Sequence, residues 1–538
     1  MTDWNFADVW EAVADTIPTA PALIHGERGV TWAEFDRRAN AVAKALLGVG
    51  VGRQDKVAHY LYNGTEYLES TFAMFKIGLV PVNTNYRYTD DELVYLWDNA
   101  DAVAVIFHGT FVDRIEGLRQ RVPGVRTWLW VDDDSGPCPG WATPYEALAS
   151  VETDKVTAPW GRSGDDLLML YTGGTTGMPK GVMWRQDDLF SRINAGNLLR
   201  VPEDGGLEGI RKAIVGAGPR IVPACPLMHG TGSFTSIGSL NIGGCVVTLT
   251  NRRFDPVELL DTIDRESVNV IAIVGDAFAR PILAALDEHP GRWRLSTLLA
   301  MISSGVMFSE ETKRGLLRHH ATMMLIDAFS SSEALGIGAS VSSGASTEHT
   351  AHFTLGPDVR VLDPDTGKSV IPGSGEIGVL ALGGRNPVGY YKDEQKSAAT
   401  FKEIDGVRYS IPGDFATVDT DGSIQLLGRG SVVINTGGEK VFPEEVEEAL
   451  KTHPTVRDAV AVAIPDKRFG EVVAAVVELK PHTARPSEQE LVDHVKGRLA
   501  GFKAPKRVRF VTSIERSPAG KIDYARHRSE MTEWATSA

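Results

Sequence analysis

The sequence predicts an α/β protein. A large N-terminal domain spans residues 1–428 and ends in a small β-barrel-like unit, and a small mobile α+β domain follows over residues 429–538. Through the first part of the chain, amphipathic stretches alternate with short apolar runs, the pattern of largely parallel sheets covered by helices. Between about Gly356 and Gly428 the texture changes to short β-rich runs separated by Gly, Pro and Asp. Beyond Arg429 a helix, strands, a further helix and a last strand make up a separate small unit.

Taken in order, Phe6, Val9, Trp10, Val13 and Ile17 recur at helical spacing and predict an opening amphipathic helix. Thr31 and Glu34 form a Thr-x-x-Glu capping box, and the helix it starts buries Phe35, Ala39, Val42 and Leu46. Thr89 with Glu92 is a second such box, and Ala102–Phe107 is a short run of buried-strand type. Val359–Leu362, Gly378–Leu382 and Ile424–Leu427 predict the strands of the antiparallel or barrel-like unit. In the last domain Glu444–Leu450 and Glu488–Leu499 read as helices, and Val460–Ile464, Val472–Leu479 and Val508–Val511 as strands. The boundary falls at Gly428-Arg429-Gly430-Ser431, where glycines let the chain swivel.

Composition narrows the function. Apolar residues at 43% and charged residues at 23% are those of an ordinary globular protein. The formal charge of −15 argues against a nucleic-acid partner or a polybasic membrane surface, so an anionic ligand must be held by local basic groups. Cys138, Cys225 and Cys245 have no CxxC spacing, which excludes a zinc or disulfide framework and fits a reducing compartment. The N-terminal residues lack a basic and apolar leader, and no apolar run approaches the ~20 residues of a transmembrane span. A cytoplasmic protein is expected, with homo-oligomerisation left open.

The strongest local signal follows the apolar run Leu167–Tyr171. It reads Thr172-Gly173-Gly174-Thr175-Thr176-Gly177-Met178-Pro179-Lys180-Gly181. Glycines permit close backbone approach, successive N–H groups and threonine hydroxyls form an anion nest, and Lys180 adds charge; together they suit a polyphosphate. The spacing is not Walker A, because Pro179 separates the glycines from the lysine and Gly181 stands where Ser or Thr is required.

With Tyr171 in front, this string resembles the signature of the adenylate-forming superfamily of acyl-CoA synthetases, adenylation domains and luciferases. The other stations occur in the family's order, from about Thr31 to Lys521. Phe329-Ser330-Ser331-Ser332-Glu333 is similar to the family's Tyr-Gly-x-Thr-Glu, with Ser330 in place of Gly. The resemblance implies that Phe329, Ser330 and Ser332, with nearby Asp327, lie at adenine and that Glu333, with Thr172, holds Mg²⁺. Ser303-Ser304-Gly305 resembles the turn that approaches adenine and the acyl carbonyl, although a plain strand-end turn would look the same. Ser410-Ile411-Pro412-Gly413-Asp414 resembles Thr-Gly-Asp, whose acceptor-only carboxylate suits ribose hydroxyls. Gly428-Arg429 opens a hinge segment in which Arg429 would meet ribose or phosphate; Ser431 and Asn435 replace residues common there. Ser517-Pro518-Ala519-Gly520-Lys521 carries the lysine expected to bridge the carboxylate and the α-phosphate.

The family's fold is implied with these stations: two α/β subdomains and a β-rich unit, then a C-terminal domain that rotates between half-reactions. Gly437-Gly438-Glu439-Lys440 resembles the loop lining the pantetheine tunnel. Lys503 and Lys506, with Arg507 and Arg509, are expected at CoA phosphates or on a solvated strand face. Pro226-Leu227-Met228-His229-Gly230-Thr231-Gly232 occupies the acyl station and lacks the Asp of amino-acid-activating relatives. His229, Gly230, Trp184 and Phe234 are expected at the acid, with packed core as the alternative for His229 and the aromatic residues. Trp184-Arg185-Gln186 and Ile434–Glu447 look most like fatty-acyl and steroid side-chain CoA ligases. The expected reaction is ATP- and Mg²⁺-dependent activation of a hydrophobic acid and its transfer to CoA. A carrier-loading acyl-AMP ligase and an inactive nucleotide or acyl-CoA binding protein are the alternatives.

Overall fold

The computed structural model describes residues 3–172, 178–344, 351–429, 432–436, 439–466, 468–517 and 522–537. Contacts divide the chain into two compact units. The first comprises residues up to 172, 178–344 and Gly383–Ser410; the second comprises Ala351–Leu382 and 411–537. The boundary expected at 428/429 thus falls within the second unit.

The first unit holds two α/β layers. One sheet runs Gly389–Tyr390, Lys180–Arg185, Leu167–Thr172, Val80–Asn83, Lys56–Tyr60, Ala102–His108, Thr127–Val131 and Thr143–Pro144. It is parallel from Leu167–Thr172 outward to Thr143–Pro144, and antiparallel where Lys180–Arg185 and Gly389–Tyr390 add on. The other sheet places Arg28–Thr31, Pro21–His25, Cys245–Thr248, Arg220–Pro223, Val270–Ile273, Ala300–Ser304, Met324–Ser331 and Ala334–Ser342 side by side. Crossover helices such as Pro256–Glu266 and Asp276–Glu288 cover it, as parallel connections require.

Local signals account for the helices. Asn5 caps Phe6–Thr16, whose Trp10 and Phe6 pack on Phe72 and Phe75 at 5.2 Å between ring centroids. Thr31 accepts the Glu34 N–H at the start of Trp32–Gly48, and Thr89 with Glu92 forms the full reciprocal box before Asp90–Asn99. Each of these buried aromatic side chains contributes roughly 1.5–3 kcal/mol by leaving water. Among the described residues, no helix is long and apolar enough to cross a membrane. All three cysteines are free, and burial pushes the Cys225 and Cys245 thiols up to about 12, which leaves them inert.

In the second unit His352–Leu355, Ile424–Arg429, Asp414–Val418, Gly378–Leu382 and Val359–Leu362 form an antiparallel array in that order. This is the expected β-rich unit. A further sheet pairs Val456–Asp466 with Gly470–Leu479 over almost their full length, adds Arg507–Val511 in parallel, and carries Ile434–Thr436, paired with Glu439–Val441, at its edge. Its two faces bury separate apolar layers, one with Val446, Leu450 and Leu491, the other with Ile464, Ile514 and Met531. Met531 comes from the helix Tyr524–Ser537, which the apolar spacing of the sequence did not reveal.

Candidate active site

The phosphate-loop string begins and ends on one strand pair. Leu167–Thr172 and Lys180–Arg185 run antiparallel with Thr172 opposite Lys180, so the loop is closed at its base by these two residues. Gly173, Gly174, Thr175, Thr176 and Gly177 lie outside the described residues. Gly181 has no space for a side chain: a Cβ there would sit 2.8 Å from Met169 Sδ and from the Tyr171 ring. The Ser or Thr of a Walker A loop is therefore sterically excluded at this position. Lys180 Nζ lies 3.2 Å from Asp393 and 5.8 Å from the Tyr390 ring centroid.

Parallel sheets bind ligands beyond the carboxyl ends of their strands. Here Ala300–Ser304 and Met324–Ser331 end side by side, with Ser304 opposite Ala328, which brings Ser304 and Gly305 next to Phe329. Gly305 has φ +92°, a conformation that favours glycine. The chain then reverses tightly, with Ser331 opposite Ala334 and Ser332-Glu333 at the tip. Ser330, the departure from the family's glycine, lacks a positive φ, and its hydroxyl accepts the Gly336 N–H at 3.0 Å across the bulge. The serine is thus accommodated by local hydrogen bonding.

Three distant segments converge on the Ser332-Glu333 tip. The Trp184 indole donates to the Ser332 carbonyl at 2.9 Å, the Ser410 hydroxyl to the Glu333 carbonyl at 2.7 Å, and the Tyr390 hydroxyl to Glu333 Oε1 at 2.9 Å. Trp184, fully buried, belongs to the core beneath this turn and has no surface to offer an acyl chain. Asp327 is likewise buried, with Lys313 Nζ at 3.4 Å. Burial pushes its carboxyl up to about 6 against the pull of the lysine.

That pair predicts a pH-dependent stability. Between about pH 4 and 6 the folded chain holds a proton that the unfolded chain has released, so stability falls as pH rises through this window. Lys313→Met strands the carboxyl and is expected to cost roughly 3 kcal/mol at pH 7, with the loss shrinking below pH 6. Urea unfolding across pH checks both; a variant as stable as the parent at pH 7 would contradict the assignment.

The acyl station reaches the same region. His229, half-buried, precedes the helix Gly230–Asn241, and Thr231 Oγ1 lies 3.5 Å from the Ser304 carbonyl. A Cβ on Gly230 would lie 3.4 Å from Leu170, so this helix start rests against the strand leading into the phosphate loop. Phe234 is buried. Two asparagines staple the station. Asn83 accepts the Tyr171 N–H at 2.6 Å and donates to the carbonyls of Tyr171 and Met228 at 2.9 and 2.7 Å. Asn63 accepts the Leu227 N–H at 2.7 Å and donates to the Cys225 carbonyl at 3.2 Å. Neither asparagine nor Tyr390 stood out in the sequence; the only local trace was an amide side chain ending a strand-like apolar run, as at Val80–Asn83.

In the second unit Asp414 is buried and pairs in register with Arg429, whose side chain lies outside the described residues. Lys440, of which only the backbone is described, stands opposite Asn435 in a hairpin; Gly437, Gly438 and Lys521 are also outside the described residues. Lys521 is bracketed by two anchors. Arg516 Nε and Nη2 lie 2.6 and 2.9 Å from the two Asp458 oxygens, and the Tyr524 hydroxyl donates to buried Glu447 at 3.0 Å. The basic residues expected as one cluster are dispersed. Lys503 pairs with Glu445 at 2.5 Å, Arg507 lies over Trp534, Arg509 faces Glu530 at 3.8 Å, and Lys506 is exposed. Arg507 and Arg509, two apart on the strand Arg507–Val511, share one face and both lie against the helix Tyr524–Ser537, whereas Lys503 sits in the turn before the strand.

For Mg²⁺, the donors expected are the Glu333 carboxylate and the Thr172 hydroxyl, both half-buried oxygen ligands. Among the described residues no group of three or more His, Cys, Asp or Glu could hold a metal.

The sequence pattern of the AMP-binding enzymes matches residues 10–391, and that of their C-terminal domain matches residues 445–521. The medium/long-chain-fatty-acid–CoA/3-oxocholest-4-en-26-oate–CoA ligase of Mycobacterium marinum is 41% identical over 98% of this chain and 96% of its own. The 3-oxocholest-4-en-26-oate–CoA ligase of Rhodococcus rhodochrous is 41% identical over 97% of this chain and 94% of its own. In fold, ATP-bound MatB from Rhodopseudomonas palustris superposes with a TM-score of 0.81 at 24% identity, covering 99% of this chain and 100% of that one.

Proposed function

Because the chain belongs to the AMP-binding enzymes, we propose that it is an acyl-CoA synthetase that activates a hydrophobic carboxylic acid, a fatty acid or a steroid side-chain acid. The observation that carries this reading is 41% identity over nearly the whole chain to ligases of those acids.

In the first half-reaction a carboxylate oxygen attacks the α-phosphorus of Mg·ATP, the bond to the bridging oxygen breaks, and pyrophosphate leaves. Both reactants are anions, so charge neutralisation and positioning carry most of the catalysis. Thr172 to Lys180 would hold the outgoing pyrophosphate, with Thr175, Thr176 and the glycine N–H groups as donors. Lys180 would exchange Asp393 for phosphate when ATP enters. Glu333 and Thr172 would hold Mg²⁺. Phe329, Ser330 and Ser332 would flank adenine opposite Ser304 and Gly305, Asp414 would accept the ribose hydroxyls, and Arg429 would meet ribose or phosphate. Lys521 would bridge the two reacting oxygens as a charge. Asp327 would support the strand through Lys313 from beneath.

In the second half-reaction the CoA sulfur attacks the acyl carbonyl, the thiol loses its proton, and AMP leaves. The domain beyond Arg429 would swivel at 429–431 so that Lys521 withdraws and Gly437, Gly438 and Lys440 line the pantetheine path. Lys506 would face CoA phosphates, and Lys503 would join it by giving up Glu445. His229 and Gly230 would face the acyl carboxylate, Phe234 the chain. Inert thiols fit a reducing compartment, and we place the reaction in the cytoplasm.

A panel of short, medium and long fatty acids, aromatic acids and steroid side-chain acids, supplied with ATP, Mg²⁺ and CoA, tests the reading by mass spectrometry. The expected product is a CoA thioester of a hydrophobic acid, with AMP and pyrophosphate. Acyl-AMP without thioester would move the assignment to a carrier-loading ligase. ATP binding with no product from any acid would favour a binding protein.

A further inference from the structure

Glu333 is held in two different ways. Trp184 and Ser410 bind main-chain carbonyls of the Ser332-Glu333 tip, which fixes where the residue sits. Among the described residues only the Tyr390 hydroxyl, at 2.9 Å from Oε1, acts on the carboxylate and fixes where it points. A glutamate side chain otherwise has several rotamers at little cost. With Oε1 engaged by a neutral donor, Oε2 has no partner among the described residues.

Tyr390 itself has little freedom. It is buried, its N–H donates to Ser397 Oγ at 2.8 Å, its ring lies 5.8 Å from that of Phe401, and its strand pairs with Val182. The same ring lies 5.8 Å from Lys180 Nζ, and Lys180 pairs with Asp393. Tyr390 thus contacts both the phosphate-loop lysine and the carboxylate. A direct Lys180–Glu333 ion pair would neutralise the two groups that ATP and its metal need.

We infer that Tyr390 is a positioning residue that orients the Glu333 carboxylate toward the Mg²⁺ of Mg·ATP. The inference rests on the reading of Glu333 as the metal-binding carboxylate. Tyr390→Phe keeps the ring, its packing and its cation–π contact, and removes one hydrogen bond. Its test compares calorimetric affinity for ATP with and without Mg²⁺ in the full chain, alongside Glu333→Ala. The strengthening of ATP binding by Mg²⁺ is expected to fall about three- to tenfold in Tyr390→Phe, the range for the loss of one hydrogen bond. Metal-free ATP affinity should stay within about twofold and the melting temperature should be little changed. The half-saturating Mg²⁺ concentration for adenylation should rise in parallel. A full metal effect in Tyr390→Phe, with that effect lost in Glu333→Ala, would overturn the role of Tyr390 alone. A full metal effect in Glu333→Ala would overturn the reading beneath it. Equal loss of metal-free and metal-bound affinity in Tyr390→Phe would make the tyrosine merely structural and overturn the inference.

Discussion

Lys521→Ala is expected to slow acyl-adenylate formation by about a hundred- to a thousandfold, the range for removing one donor aimed at developing charge. Thioester formation from supplied acyl-AMP and CoA should stay within about threefold, because in the proposed cycle the lysine has withdrawn before CoA attacks. ATP affinity should change little. Arg516 is bidentate to Asp458 on one side of the lysine segment, and Tyr524 is tied to Glu447 on the other. Both contacts are made by residues other than the lysine, so they survive the substitution. Pyrophosphate release for the first step and stopped-flow mixing of acyl-AMP with CoA for the second give the two rates. Equal losses in both half-reactions would remove Lys521 from the adenylation step.

Asn83→Asp is expected to lower the adenylation turnover about a hundredfold while the KM for ATP moves less than about threefold. The replacement is isosteric and still accepts the Tyr171 N–H, but it cannot donate to the carbonyls of Tyr171 and Met228, and it faces both with negative charge. Those carbonyls belong to the strand that opens the phosphate loop and to the segment that leads into His229 and Gly230. The staple therefore sets the distance between the phosphate grip and the acyl station, where a misplacement of about 1 Å costs about a hundredfold. Steady-state kinetics with ATP varied, together with a thermal melt, measure the split. A rise in KM with turnover intact would show that Asn83 serves only the loop.

The ordered stations were legible because their chemistry is local. A run of glycine, threonine and lysine reads as an anion nest by itself, and the strand pair beneath it follows from Leu167–Tyr171. The capping boxes at Thr31 and Thr89 also depend only on neighbours three residues apart. Misplaced expectations had the opposite cause. Trp184 looks like a pocket residue in sequence, but its indole is spent on the Ser332 carbonyl across 148 positions. Lys503, Lys506, Arg507 and Arg509 look like a cluster, yet Lys503 is paired with Glu445, while Arg507 and Arg509 lie against Trp534 and Glu530 of the last helix.

By itself, then, the sequence determined the α/β class, the order of the stations and the residues that bear charge. Those properties lie in spacing and side-chain type along short windows. Tertiary structure alone decided that Tyr390 points Glu333, that Asn83 joins the loop strand to the acyl station, and that Lys313 shares burial with Asp327. Each of those contacts depends on packing between sheet strands and turns, and directional hydrogen bonds form only where the folded backbone brings donor and acceptor within about 3 Å.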